Sequence, residues 1–117
     1  MKASYWQRGE SLDYKNETSK VIEENTVISI GTRIGVAGMP IAPGETGSLL
    51  VVGVFVMDKT DDTAMEMGDN VYFDGIGITS KADNGKTGDE KETYTPAGYV
   101  AERAAADHNT VIVKLWG

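Results

Sequence analysis

The sequence predicts an all-β fold, a small antiparallel β-barrel or sandwich with one short helical segment and an extended N-terminal arm. Valine and isoleucine occur in short runs, and the 14 glycines of the 117-residue chain separate many of these runs at positions suited to turns. The spacing indicates about seven or eight strands. Because the length is that of one domain, we divide the chain into the arm, residues 1–9, and a single β domain, residues 10–117.

Charge and composition exclude several classes of function. The formal charge of −7 gives the protein a negative field that repels phosphate groups, so nucleic acid is not an expected partner. The chain has no cysteine, which excludes disulfides and thiolate sites. It also lacks both an apolar run of about 18 residues and the apolar segment of a signal peptide, so we expect no membrane partner.

The first half of the domain alternates between strand and turn patterns. Residues 10–16 place Leu12 and Tyr14 on one face of a half-buried strand. Residues 26–38 predict a pair of strands that separate at Gly31, where the missing side chain permits a sharp bend. Residues 39–47 contain two prolines and two glycines and predict a loop.

The most apolar run, SLLVVGVFVM at residues 48–57, predicts one strand with two apolar faces. One face carries Leu49, Val51, Phe55 and Met57, and the other carries Leu50, Val52, Val54 and Val56. A small antiparallel barrel buries only one face of each strand, so something else must cover the second face. The chain's own arm and a neighbouring subunit are both open as the cover.

Lys59 follows this run at the position that a modified lysine has in lipoyl or biotinyl carrier domains. Such a lysine needs a tight, exposed hairpin turn. Residues 60–69 instead combine capping residues, acids suited to a helix N-terminus and a terminating glycine, and they predict one or two helical turns. We therefore interpret Lys59 as a solvated lysine at the end of a strand.

The acids from Asp58 to Asp69 are the other candidate site in this region. Read as a calcium-binding EF-hand loop, the sequence has Thr63 where glycine is required and Asp69 where a bidentate glutamate belongs. We interpret these acids as the solvated face of the short helix, and no metal or cofactor is expected.

Residues 70–79 predict a hairpin with Asp74 and Gly75 as its two-residue turn. The polar, glycine-rich segment 80–96 shows no periodicity and predicts a mobile surface loop.

The C-terminal region predicts a final pair of strands, residues 99–104 and 110–116, around a turn at residues 107–109. His108 is the single histidine and lies in that turn. A catalytic histidine would need a poised nucleophile beside it, so we interpret His108 as a turn residue. We predict no catalytic residue and no enzyme.

Seven short motifs follow one another in a fixed order along the chain. They are RGESLDYKN, GTRIGVAG, IAPGETG, VGVFVMDK, MGDNVYFD, AGYVAERA and the terminal VIVKLWG. Together they make the chain resemble the small phage capsid cement, or head decoration, proteins from about Tyr5 to Gly117. The polar segment 81–93 supports the resemblance least.

The resemblance implies a structural role. Proteins of this kind bind the outside of an expanded phage head, commonly as trimers at or near threefold positions, and hold neighbouring capsid subunits together against the pressure of packaged DNA. It therefore implies the major capsid protein and further copies of this chain as partners, in a homotrimer. The implied location is the outer capsid surface of the virion, reached from the host bacterial cytoplasm during assembly. The family's lysine after the central strand falls on Lys59 and is not a carrier site.

Candidate contact residues follow from side-chain chemistry and from the second apolar face. Aromatic and arginine side chains are the usual anchors of interfaces, although core filling is the alternative for each tryptophan. The candidates for capsid or subunit contact are Tyr5, Trp6, Arg8, Leu50, Val52, Val54 and Trp116. The alternative function is a carbohydrate-binding or host-surface-binding β-module that uses exposed tryptophans as a stacking platform.

Overall fold

The computed structural model describes residues 1–116 and confirms the all-β class. Its strands form two antiparallel sheets. The first sheet has the order β1-β4-β3-β2 and contains β1 (Ser11–Lys15), β2 (Val27–Ile30), β3 (Arg33–Ala37) and β4 (Thr46–Leu50). The second has the order β5-β9-β8-β6-β7 and contains β5 (Val54–Asp58), β6 (Asn70–Phe73), β7 (Ile78–Thr79), β8 (Thr95–Glu102) and β9 (Thr110–Leu115).

The first sheet confirms the predicted strands of the N-terminal half. β1 pairs with β4 from Ser11 opposite Leu50 to Lys15 opposite Thr46. β2 and β3 form a hairpin across Gly31, as the glycine predicted, with Ile30 opposite Arg33. These pairings place β4 in the middle of the sheet, between β1 and β3.

The prediction of a single strand over residues 48–57 is wrong. β4 ends at Leu50 and β5 begins at Val54, and the two strands belong to different sheets. The chain turns between them at Gly53, whose φ of +134° is a conformation that side chains disfavour. There is consequently no two-faced strand, and the two halves of the run meet different surroundings.

The second sheet contains the predicted hairpin of residues 70–79, but its turn has four residues rather than two. Phe73 pairs with Ile78, so Asp74 to Gly77 form the turn. The Asp74 carboxylate explains the difference, because Oδ1 accepts the backbone N–H groups of both Ile76 and Gly77 at 2.9 Å.

The polar segment of residues 80–96 lies largely at the surface, as predicted. It folds back on itself through a bridge between Asp83 and Thr93 and includes the single helical element of the described chain, a 3-10 turn at Gly88–Glu90. β8 already begins within this segment, at Thr95. It then pairs with β9, which confirms the predicted C-terminal pair of strands.

The helix predicted over residues 60–69 is wrong. This segment is a chain of bends and turns, and Met65 forms a two-way backbone bridge with Ala104, with both N–H to carbonyl distances at 2.9 Å. The Met65 side chain is fully buried in the core. Tertiary hydrogen bonds and burial therefore override the local capping pattern, which is a weak determinant on its own.

The main core lies between the sheets, where β3 of the first sheet packs on β8 of the second. It is built from the inward faces of the strands of both sheets, since alternate residues such as Val111, Val113 and Leu115 of β9 are buried. The buried residues of this core are Ile34, Val36, Met57, Met65, Val71, Ile78, Ala97, Val100, Ala104, Val111, Val113 and Leu115.

The outer strands of the second sheet approach each other. Lys59, directly after β5, forms a parallel bridge with Ile78 of β7, so the sheet curls until its two edges meet at that point. The two edges are not paired along β5 itself, so the sheet is strongly curled and open. In the described part of the chain, no helix has the length and apolar character needed to cross a membrane.

Candidate contact surface

The arm presents its predicted contact side chains to solvent. Residues 1–8 contain no strand, and Tyr5 and Trp6 are 83% and 86% exposed. Arg8 forms an ion pair of 3.1 Å with Glu10, but both side chains are largely exposed, so the pair contributes little to stability. Two large aromatic rings are therefore free to contact another molecule.

Trp116 lies at the outer face of the second sheet, next to Tyr99 of β8. The two ring centroids are 5.7 Å apart with an angle of 56° between the planes. The Lys114 ammonium lies 5.6 Å from the centroid of the Tyr99 ring, within range of a cation–π interaction. Trp116 is 42% exposed, so core filling is the wrong interpretation for it, as it is for Trp6.

An open groove is lined by Gly9 at the end of the arm and by Trp116. It has a volume of about 220 Å³ and is lined mainly by apolar side chains of β1, the β2–β3 hairpin and the link after β4. Arg33 is the charged exception, and its Nη1 donates to the Trp116 carbonyl oxygen at 3.4 Å. The lining residues are Gly9, Leu12, Ile30, Arg33, Ile34, Val51, Val52 and Trp116.

The remaining predicted contact residues of the apolar run divide between core and surface. Leu50 is half-buried and packs against the core, so it does not belong to an outward face. Val52 and Trp116 both line the groove. Val54 is exposed on the outer face of β5, where it lies opposite Lys114 of β9.

Val56 extends this exposed face and was not among the predicted contact residues. It is 69% exposed and lies opposite Ile112 of β9. The signal in the sequence was the alternation of Val54 and Val56 with Phe55 and Met57, which indicates a half-buried strand with an apolar outer face. Within the continuous apolar run of residues 48–57, this alternation is hard to recognise.

Lys59 is not the solvated lysine that was predicted. Its side chain has no exposed surface, and its ammonium donates to the backbone carbonyl oxygens of Asp61 at 2.7 Å and Ala106 at 3.1 Å. The Asp61 carboxylate lies 3.8 Å from the ammonium. Lys59 therefore joins two loops from inside the protein, which is a structural role.

Two carboxylates near Lys59 tie the segment after β5 to the β6–β7 hairpin. Burial raises the pKa of Asp61, but hydrogen bonds from the Ser80 N–H and hydroxyl and from the Thr79 hydroxyl outweigh it, so the pKa is lowered overall. The pKa of Asp74 is lowered in the same way, because hydrogen bonds from Gly77 and the Thr60 hydroxyl outweigh its burial. Asp61 therefore accepts protein hydrogen bonds instead of forming part of the predicted helix face.

His108 lies in the turn between β8 and β9. The ring Nδ1 of His108 accepts a hydrogen bond from the backbone N–H of Ala105 at 3.1 Å, and the backbone N–H of His108 donates to the Ala105 carbonyl oxygen at 3.0 Å. These bonds close the turn, which supports the interpretation of His108 as a turn residue. Among residues 1–116, no group of three or more histidine, aspartate or glutamate side chains has the arrangement of a metal site.

Comparison with known proteins gives one match. No curated protein and no solved structure matches the chain. A family model described as phage cement protein matches residues 6–115, which is nearly the whole length. The match spans both sheets and includes Trp6, the outer face of β5 and every groove residue except Trp116. The resemblance seen in the motifs is thus confirmed, and the chain belongs to the phage cement protein family, with a structural role in the phage capsid.

Proposed function

We propose that this protein binds the outer surface of the phage head and stabilises it by joining neighbouring subunits of the major capsid protein. It would be made in the host bacterial cytoplasm and be added to the head there during assembly. The observation that carries the proposal is the arm, which presents Tyr5 and Trp6 almost fully to solvent. Large exposed aromatic residues are uncommon without a partner and supply much of the affinity in interfaces.

Charge separates the arm from the rest of the chain. Residues 1–9 contain two basic side chains, Lys2 and Arg8, and no acid, whereas residues 10–117 contain nine basic and 18 acidic side chains. A basic aromatic segment is attracted to acidic surfaces, so the surface that the arm contacts is expected to be acidic.

The arm would become ordered when it binds. In residues 1–8, no strand pairing and no burial offset the entropy of fixing the chain. Coupling of ordering to binding allows a small domain to reach across the boundary between two capsid subunits. The domain itself, held by its own core, would remain unchanged.

A homotrimer is the expected form of assembly. The two-faced strand no longer supports it, but the exposed Val54 and Val56 on β5 give the second sheet an apolar outer face that another copy could cover. The mass in solution, measured by light scattering, decides this point. A monomeric mass at high concentration and in the presence of heads would contradict it.

Deletion of residues 1–8 tests the function. The shortened chain should keep its free energy of unfolding within about 1 kcal/mol, because the deleted residues are exposed, yet it should co-sediment with expanded heads far more weakly. The double variant Tyr5→Ala, Trp6→Ala should reproduce most of the loss. Val21→Ala, which changes an exposed apolar residue elsewhere, is the matched control and should bind as the natural chain does.

Two results would contradict the proposal. Unchanged co-sedimentation of the shortened chain would remove the arm from the contact with the head. Unfolding of the shortened chain would instead make the arm a part of the core.

A further inference from the structure

Strand β5 has a partner on one side only. In an antiparallel pair, alternate residues of a strand direct their backbone N–H and C=O groups toward the partner. The Leu115 N–H donates to the Gly53 carbonyl oxygen at 3.0 Å, and the Lys59 N–H donates to the Asn109 carbonyl oxygen at 2.8 Å. These two bonds flank the β5–β9 ladder in one continuous register, so the odd-numbered residues from 53 to 59 direct their backbone groups to β9.

The backbone groups of Val54 and Val56 therefore point away from β9, to the free edge of the sheet. The bridge between Lys59 and Ile78 begins just beyond and limits the free edge to the first part of β5. The side chains of both valines are also exposed, at 55% and 69%. A short edge with free hydrogen-bonding groups and apolar side chains is the usual template for addition of a strand.

The arm is a segment without backbone partners. No backbone hydrogen bond joins residues 1–9 to the rest of the described chain, and the ladder of β1 ends with the bond from the Val51 N–H to the Glu10 carbonyl oxygen. The same protein thus contains a free strand edge and a free segment that could pair with it.

The arm of the same copy starts on the opposite side of β5 from this edge. Glu10 bonds to Val51, and two residues further along the chain Gly53 bonds to Leu115. Beyond Glu10, the end of β9 therefore occupies the side of the chain on which β1 pairs with β4. Gly9 and Trp116 line the same groove there. The arm leaves the sheet on the side of β5 that β9 occupies, whereas the free edge is on the other side.

We infer that the free edge of β5 binds the arm of a second copy of this chain as an added strand. This inference rests on the proposed self-assembly and names its contact. Eight extended residues reach about 26 Å, more than the roughly 17 Å of a five-residue strand such as β5. Successive side chains of a strand point to opposite faces, so in any register either Tyr5 or Trp6 lies on the outer face, the face that also carries Val54 and Val56.

Charge favours the pairing of this arm with this edge. The arm carries Lys2 and Arg8 without an acid, and the edge strand ends at the exposed Asp58 on a domain with twice as many acidic as basic side chains. Because the arm and the edge are different surfaces, the contact is heterologous, and its repetition gives a closed ring such as a trimer when the rotation closes.

Hydrogen exchange and mass without phage heads test the inference. In the full chain at a concentration where it is oligomeric, the Val54 and Val56 amides should exchange at least tenfold more slowly than in the chain that lacks residues 1–8. That shortened chain should be monomeric. A synthetic peptide of residues 1–9, added to it, should restore the protection of both amides.

Val56→Lys adds a positive charge to the edge and should produce monomers, because it repels the basic arm. Val21→Lys, at an exposed valine away from the edge, is the matched control and should remain oligomeric. Urea unfolding of each variant shows that it is folded, and Val54→Lys replaces Val56→Lys if the latter is not.

A monomeric full chain would overturn the inference, and protected amides in that monomer would make its own arm the added strand. An oligomer that persists in Val56→Lys and in the shortened chain would also overturn it. Head binding is measured separately with Val56→Lys, which keeps the arm but loses the contact between copies. If the arm contacts the head directly, this variant should co-sediment with heads more strongly than the shortened chain. A chain that binds heads while both valine amides stay unprotected would keep the proposed function and lose this contact.

Discussion

The buried ammonium of Lys59 donates a 2.7 Å hydrogen bond to the backbone carbonyl oxygen of Asp61, two residues further along the chain. The carboxylate of Asp61 in turn accepts hydrogen bonds from Thr79 and Ser80 at the end of β7. The segment after β5 is therefore held by two interactions: its backbone accepts a hydrogen bond from the buried Lys59, and its Asp61 carboxylate binds the end of β7. Both lie where the edges of the second sheet meet.

Lys59→Met should lower the free energy of unfolding by roughly 1–3 kcal/mol, because it leaves the carbonyl oxygens of Asp61 and Ala106 without their buried donor. Urea unfolding measures the loss. Lys20→Met, at an exposed lysine, is the control and should change stability little. Equal stabilities of the two variants would contradict the structural role of Lys59.

Stability should fall in acid partly because of Asp61. Its pKa is lowered in the folded protein, so the stability that its ionised form contributes is fully present above the ordinary carboxyl value near 3.8 and is lost as the pH falls through the lower folded value. Asp61→Asn should be less stable at neutral pH and should lose less stability between pH 5 and about pH 2. The free energy of unfolding against pH checks this, with the exposed neighbour Asp62→Asn as the control.

Calcium should not stabilise the protein through the acids from Asp58 to Asp69. The carboxylates of Asp61 and Asp69 already accept protein hydrogen bonds, from Ser80 and from the Glu66 N–H. The melting temperatures with calcium and with a chelator should agree within about one degree, since a ligand raises stability only by binding the native state. A rise of several degrees in calcium would contradict this.

Gly98→Ala should be more damaging than Gly75→Ala. Both glycines have positive φ, +143° and +96°, so both substitutions strain the backbone. At Gly98, however, the new methyl group would overlap the Lys114 carbonyl group of β9, whereas nothing lies near Gly75. The difference in the free energy of unfolding should be about 1–3 kcal/mol, measured by urea unfolding. Equal effects would show that β9 moves aside.

Asn16→Leu should lower the free energy of unfolding by about 1–3 kcal/mol, because buried backbone groups lose their partners. The Asn16 amide is fully buried and donates to the carbonyl oxygens of Lys20 at 2.7 Å and Ile41 at 2.9 Å. Glu17→Ala, at the exposed neighbour, is the control. A stable Asn16→Leu variant would show that water replaces the amide.

The sequence was most informative where one local pattern decided the structure. The alternation around Leu12 and Tyr14 predicted β1, and Gly31 predicted the turn between β2 and β3. It was misleading where distant contacts decide. Capping residues at 60–69 indicated a helix, but the burial of Met65 and its bridge to Ala104 hold the segment in bends and turns. No local pattern contains that pairing.

The candidate surface was predictable in part for the same reason. The exposed aromatics of the arm followed from residue type and from the lack of strand alternation before Glu10. The split of residues 48–57 between two sheets could not be predicted, because a continuous apolar run shows no periodicity from which the end of one strand can be read. Gly53 alone does not specify a break. The burial of Lys59 could not be predicted from the sequence either, because its acceptors are backbone carbonyl groups of two loops that come together only in the fold.

The pairing of β5 with β9 also has a consequence for how the protein folds during synthesis. Val54 lies opposite Lys114, so β5 leaves the ribosome well before the strand that it pairs with. Until β9 is made, β5 has no neighbour on either side, and closing so long a loop is slow because its entropy must be lost before the contacts form. The apolar residues Phe55 and Met57, which end in or against the core, are exposed during that interval. Nascent chains should therefore be most prone to aggregation after β5 has emerged and before β9 has.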